Sequence, residues 1–226
     1  AVIAATIIRT FLLEAYTIPT SSMEKSLLIG DYLFVSKLTY GPKVPQTPIA
    51  FPFAHHTLPL TESTKSYVEW IRLPHYRFPG LRSIRNNDVV VFNFPEGDTV
   101  ALQLQNQSYY ELVRNMGRDR VWRSYDIISR PVDKRENYIK RAVGIPGDTL
   151  KIENGTIYIN GQQLENPKDV QHNYRVETEG RGLTTRILER LDITDWGQAS
   201  QNAYVMAMTA EAAGEIETLP NVTSVE

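Results

Sequence analysis

Hydrophobic side chains are distributed unevenly along this 226-residue chain. Ala1 to Leu13 is almost continuously apolar, broken only by Thr6, Arg9 and Thr10. That run is too short to cross a bilayer, which takes ~20 residues, and we expect residues 1–14 to be the end of a membrane anchor. A buried helix of a soluble domain is the alternative. A signal peptide fits less well, because no basic region precedes the run and no small-x-small site ends it. Further on, β-branched and aromatic residues gather into short runs that predict strands at Asp31–Lys37, after the turn pair Gly30-Asp31, and at Asp88–Phe94, closed by Pro95. Lys151–Ile159 reads as two alternating strands joined by Asn154-Gly155, the strongest short-range hairpin signal.

Helical signals are fewer. Ser108-Tyr109-Tyr110-Glu111 matches a capping box, and Gly117 is placed to end the helix it opens. Toward the C-terminus the pattern predicts a strand at Tyr174–Glu177, a helix at Thr184–Leu191, a strand at Ala203–Met208, a helix at Ala210–Leu219 and a strand at Val222–Val225. Between the first strands, residues 39–84 hold many prolines and aromatics without sustained periodicity, which predicts an ordered, loop-rich insertion. The fold class expected is mainly β: an antiparallel β core over 15–167 carrying the insertion 39–84, and a small α+β subdomain over 168–226 with helices on one face of its sheet.

Composition narrows the chemistry. Hydrophobic residues make up 42% and charged residues 22%, enough to bury a real core. The net charge of −2, without a dense basic run, gives no electrostatic footprint for nucleic acid. With no cysteine, disulfides, thiolate metal sites and a cysteine nucleophile are excluded. The four histidines lack metal-ligand spacing; His55-His56 is expected in a solvated loop. No metal or organic cofactor is expected.

The candidate chemistry lies in two segments. Ile18-Pro19-Thr20-Ser21-Ser22-Met23 presents hydroxyls just past the apolar run, and Tyr138-Ile139-Lys140-Arg141-Ala142-Val143 sets a lysine among apolar residues on a predicted strand. The first segment is equally a turn whose hydroxyls cap backbone groups, and the lysine equally an edge-strand charge that blunts unwanted pairing. Taken together they pair a nucleophile with a base. A serine needs its proton removed, and no Ser-His-Asp set stands out. A lysine does this only when neutral, which requires its pKa to fall from about 10.4 toward ~7–8 by burial against apolar groups. Tyr138, Ile139, Val143, Val91 and Phe92 are candidates for that surrounding, with Arg141 on the opposite, wet face. A rival base is Lys25, since Ser22-Met23-Glu24-Lys25 matches S-x-x-K. Its companion motifs are absent, and Gly30-Asp31 soon interrupts the helix that pattern needs.

These segments resemble the bacterial type I signal peptidases, the membrane-bound leader peptidases of the Ser/Lys dyad family. The likeness covers Glu14 to Leu38, Arg85 to Pro95 and Asn137 to about Leu164, in the family's order. It implies a signal-peptidase-like β fold in which Ser22 is the nucleophile and Lys140 the general base. The Ser22 N–H and the Thr20 hydroxyl would form the oxyanion hole; a turn-capping role for Thr20 stays open. It also implies cleavage of signal peptides from exported preproteins, at a lipid surface on the outer, periplasmic side of the bacterial cytoplasmic membrane. The substrate would pair with Asp88–Phe94, with Tyr16, Ile18, Met23, Leu27, Val91, Tyr138 and Ile139 as candidate substrate-binding residues; each of the apolar ones is also a plausible core residue. The family's later Gly-Asp-x-Arg box does not occur, so the chain is expected to be a fragment. A non-catalytic or degenerate peptide-binding module of the same fold is the alternative function. A self-cleaving repressor protease, a third, is disfavoured by the lack of a DNA-binding segment.

Overall fold

Strand pairing is antiparallel throughout the described residues, which in this computed structural model are 1–61, 63–167, 169–180 and 182–226. This is the mainly β class expected, with a few short helices. The chain divides into two units, one of Ala1–Thr17 with Tyr32–Gly147 and one of Ile18–Asp31 with Asp148–Glu226.

The first unit opens with helix α1 (Val2–Phe11), none of whose side chains is buried; Ile3 is 78% exposed. Among the described residues no helix is long and apolar enough to cross a membrane. The chain passes directly into β1 (Leu13–Thr17), which pairs with β2 (Tyr32–Ser36) so that Glu14 faces Val35 and Tyr16 faces Leu33. β3 (Val89–Asn93) and β4 (Thr99–Ala101) follow, then α2 (Tyr109–Met116), α3 (Arg118–Ser124), β5 (Ile127–Ser129) and β6 (Asn137–Arg141). β3 pairs with β6, and β4 with β5. Ser108 caps α2 by accepting from the Glu111 N–H, and Gly117 ends it with φ +82°, as the capping box implied. Tyr109, Leu112, Val121 and Ala101 form the small core beneath these helices.

Residues 39–84 contain no strand or helix among those described, only isolated bridges such as Lys43 with Arg77 and Ala50 with Tyr67. The insertion is nonetheless anchored. Thr47 is buried with its hydroxyl on the Asp133 carboxylate (2.9 Å), and buried Tyr67 lies under the Lys134 ammonium, 5.3 Å from the ring centroid. His55 and His56, expected in a solvated loop, are half-buried instead. His55 bonds to the Arg135 carbonyl, and His56 to Glu136 (2.9 Å) beside the buried Arg130. A buried guanidinium requires partners, and His56, Glu136 and Gln105 supply them.

The second unit holds the predicted hairpin as β7 (Leu150–Glu153) and β8 (Thr156–Ile159), extended by β9 (Gln162–Gln163). Asn154 (φ +48°) and Gly155 (φ +76°) both adopt the left-handed backbone a two-residue turn of this kind demands. The remainder is an α+β layer: β10 (Gln171–Thr178), α4 (Thr185–Arg190), β11 (Trp196–Ser200), β12 (Ala203–Thr209), α5 (Ala210–Glu217) and β13 (Val222–Val225), in sheet order β11-β12-β10-β13. Both helices contribute to one core, with Leu188 from α4 and Ile216 from α5 packing on Val176, Met206 and Met208. β11 was not foreseen. All five of its residues are exposed, and it joins the sheet through backbone pairing with β12, so it carries no apolar alternation to read.

Candidate active site

The serine segment folds as a closed loop within the second unit. The Ile18 N–H donates to the Asp31 carbonyl (3.0 Å) and the Gly30 N–H to the Ile18 carbonyl (2.9 Å), fastening the two ends. Buried Ile18 and Met23 hold the loop down, with Leu27 half-buried beside them in sequence, while Thr20 and Ser22 stay exposed. Pro19 keeps Ile18 and its own backbone extended; Ser21–Met23 then makes a single tight turn. Thr20 precedes that turn in extended geometry and gives it no side-chain cap. Its hydroxyl instead lies 3.4 Å from that of Ser22. Lys25 is committed elsewhere: its ammonium donates to the Asp192 carbonyl (3.0 Å) and carboxylate.

Lys140 is half-buried in the first unit, on β6 opposite Val90 of β3. Because strand side chains alternate, Val90, Phe92 and Tyr138 share its face, whereas Val91 and Ile139 pair on the other. Two of the apolar residues expected around the lysine therefore face away from it. The Lys140 ammonium stands 5.9 Å from the Tyr138 ring centroid, and that ring stacks on Phe94 at 4.3 Å. Arg141 points away from Lys140 as expected, but it is half-buried, bonded to the Asn87 carbonyl (2.8 Å).

A polar chain that the sequence did not reveal runs through the same unit. Glu14 accepts from Arg9, Lys37 and the Tyr16 hydroxyl, each at 2.8 Å. Asn137, at the start of β6, donates to the Tyr16 oxygen (3.1 Å), Asn93 donates to Asn137 (3.1 Å), and Lys43 donates to Asn93. Tyr16, expected as an apolar pocket residue, thus uses its hydroxyl to link β1 with β6. Burial and the adjacent Glu14 carboxylate push its phenol well above its usual range. Burial, with Arg77 and Lys37 nearby, pulls Lys43 down to about 8. Only the identity of these residues was visible in the sequence; their partners lie up to 121 positions away.

Among the described residues no group of three or more His, Cys, Asp or Glu side chains is placed to hold a metal ion. The sequence profile of the family described as signal peptidase, peptidase S26, matches residues 1–207. The chain belongs to that family. Signal peptidase I of Rickettsia prowazekii (strain Madrid E) is 26% identical over 164 residues, 71% of this chain and 40% of that protein. The probable signal peptidase I-2 of Synechocystis sp. is 27% identical over 165 residues, 73% of this chain and 44% of that protein. The chain thus matches less than half the length of these signal peptidases. No solved structure matches it.

Proposed function

We propose that this chain is the peptidase part of a signal peptidase that cleaves signal peptides from exported preproteins at the outer face of the bacterial cytoplasmic membrane. The observation that carries this reading is the fastened turn Thr20–Met23, which presents the exposed Thr20 and Ser22 hydroxyls 3.4 Å apart, in a member of the signal peptidase family. Ser22 is the nucleophile. Lys140, in its neutral form, takes the Ser22 proton as the oxygen attacks the scissile carbonyl, then returns it to the leaving amine. It next takes a proton from the water that attacks the acyl carbon, and passes that proton to the Ser22 oxygen as the acyl–oxygen bond breaks and the new carboxyl end leaves. The developing oxyanion is met by the Ser22 N–H and the Thr20 hydroxyl, and one such donor is typically worth ~10²–10³ in rate. The substrate adds as an extended strand along β3, and lipid brings signal peptide and enzyme to the same surface.

The test is cleavage of a preprotein by the full-length protein and its Ser22→Ala, Lys140→Ala and Lys25→Ala variants. The first two are expected to lose at least ~10³-fold in kcat, and Lys25→Ala to retain measurable turnover. Normal cleavage by Lys140→Ala, or abolition by Lys25→Ala alone with the fold intact, overturns the assignment.

A further inference from the structure

The α+β layer takes no part in the chemistry above, yet it grips the loop that carries Ser22 at two points. The Ser21 hydroxyl donates to the Asp195 carboxylate (2.9 Å), and the Lys25 ammonium holds the Asp192 carboxylate and carbonyl. These contacts bracket Ser22, one on the residue before it and one on the third residue after it.

Each side of the grip has a physical character suited to the task. The turn itself is short. Beyond its closing bonds from the Glu24 N–H to the Ser21 carbonyl (2.8 Å) and from the Leu27 N–H to the Met23 carbonyl (2.8 Å), the chain leaves helical geometry at Glu24 (φ −48°, ψ 149°). Lys25 then turns left-handed at φ +65°. The opposing segment is anchored in the layer. Between the two aspartates, Ile193 is 4% exposed in the layer's core, and its N–H bonds to the Leu188 carbonyl (2.9 Å). The Asp195 carbonyl accepts from Ala207 of β12 (2.8 Å). Asp192 is itself left-handed (φ +52°), so both partners of the ion pair hold a backbone conformation that non-glycine residues adopt at a cost. Such strain persists where the surrounding contacts over-determine it.

We propose that the α+β layer is a platform that orients the nucleophile turn, with Asp195 acting through Ser21 and Asp192 acting through Lys25 as positioning residues. This rests on the assignment of Ser22 as nucleophile. It also gives the S-x-x-K lysine its work: Lys25 is a tether, held by a carboxylate, and not a base. A displaced nucleophile costs rate and leaves binding unchanged, since a shift on the order of 1 Å suffices to lose up to ~10²-fold.

The experiment is steady-state cleavage of a fluorogenic signal-sequence peptide by the full-length protein, with melting temperatures measured alongside. Asp192→Ala and Asp195→Ala are each expected to lower kcat about tenfold with KM within about twofold. Asp195→Asn, which still accepts from Ser21, should stay within about threefold of the parent protein. The exchanged pair Lys25→Asp with Asp192→Lys should recover most of the lost kcat, which no substitution of a general base by aspartate would do. Should Asp192→Ala fold poorly, Lys25→Met removes the same contact from the loop side, and the same fall is expected. Unchanged kcat in Asp195→Ala together with Lys25→Met overturns the proposal, as does a loss that the exchanged pair does not recover. Ser22→Ala is run in parallel. If it cleaves normally, the nucleophile assignment has failed; if it is inactive while the aspartate and lysine variants match the parent, only the platform has failed.

Discussion

Glu14 is the hub of the polar chain in the first unit, and replacing it by glutamine has a calculable consequence. Its side chain is 12% exposed and accepts from two cations and a phenol. Breaking a buried pair by removing one partner costs about 3–5 kcal/mol. Arg9 (34% exposed) and Lys37 (27% exposed) can rehydrate, and the glutamine oxygen still accepts one bond. We therefore expect Glu14→Gln to lose ~2 kcal/mol at pH 7. Burial alone would raise the Glu14 pKa. The Lys37 hydrogen bond and charge, joined by the Arg9 and Tyr16 hydrogen bonds, outweigh it and hold the carboxyl below its ordinary 4.5. A carboxyl lowered in this way stabilises the fold fully above pH 4.5 and loses that contribution as pH falls through the folded value. Urea unfolding in a Trp196→Phe background, where the fluorescence comes from Trp70 and Trp122 of this unit, measures it. The gap between the two proteins should be widest at pH 7 and narrow steadily below pH 4.5. A gap that stays constant down to pH 3, or no gap at pH 7, would mean that the Glu14 charge does not stabilise the fold.

Two further outcomes concern the insertion. An added Cβ at Gly41 (φ +88°) would stand 1.9 Å from the Phe78 carbonyl oxygen, so Gly41→Ala should cost more than ~2 kcal/mol and open residues 72–82 to limited proteolysis; an unchanged digest contradicts this. Lys43, pulled down to about 8 from 10.5, disfavours the folded state while charged, and relief comes as pH rises from about 8 to 10.5. Lys43→Met should therefore stabilise by ~1 kcal/mol at pH 7, after allowing for partial exposure and the lost bond to Asn93, and the gain should vanish near pH 10.5; a pH-independent difference in chemical denaturation rules this out.

What could be read from the sequence was local. The α2 cap at Ser108, the Asn154-Gly155 turn and the apolar run of β12 each depend on residues a few positions apart, and each is present. The contacts that build the candidate site are not local. Lys25 meets Asp192 across 167 positions and Ser21 meets Asp195 across 174, and nothing in the residues around Lys25 names its partner. Read alone, the S-x-x-K spacing offered a base; only the folded partner shows the ammonium engaged. The same holds for Tyr16, whose apolar ring was legible and whose hydroxyl bond to Asn137 was not. Closeness in sequence does not fix the face of Lys140 either: strand alternation gives Val90 and Phe92 to its side and Val91 and Ile139 to the other.

The proposed acylation of Ser22, with Lys140 as its base, is open to a measurement of its site and rate. The full-length protein would be incubated with an activated ester of a peptide ending in alanine, and the adduct followed by intact mass and located by peptide mapping. The adduct is expected on Ser22, absent in Ser22→Ala, and formed at least ~10²-fold more slowly in Lys140→Ala. An adduct on Ser21, or an unchanged rate in Lys140→Ala, would contradict it.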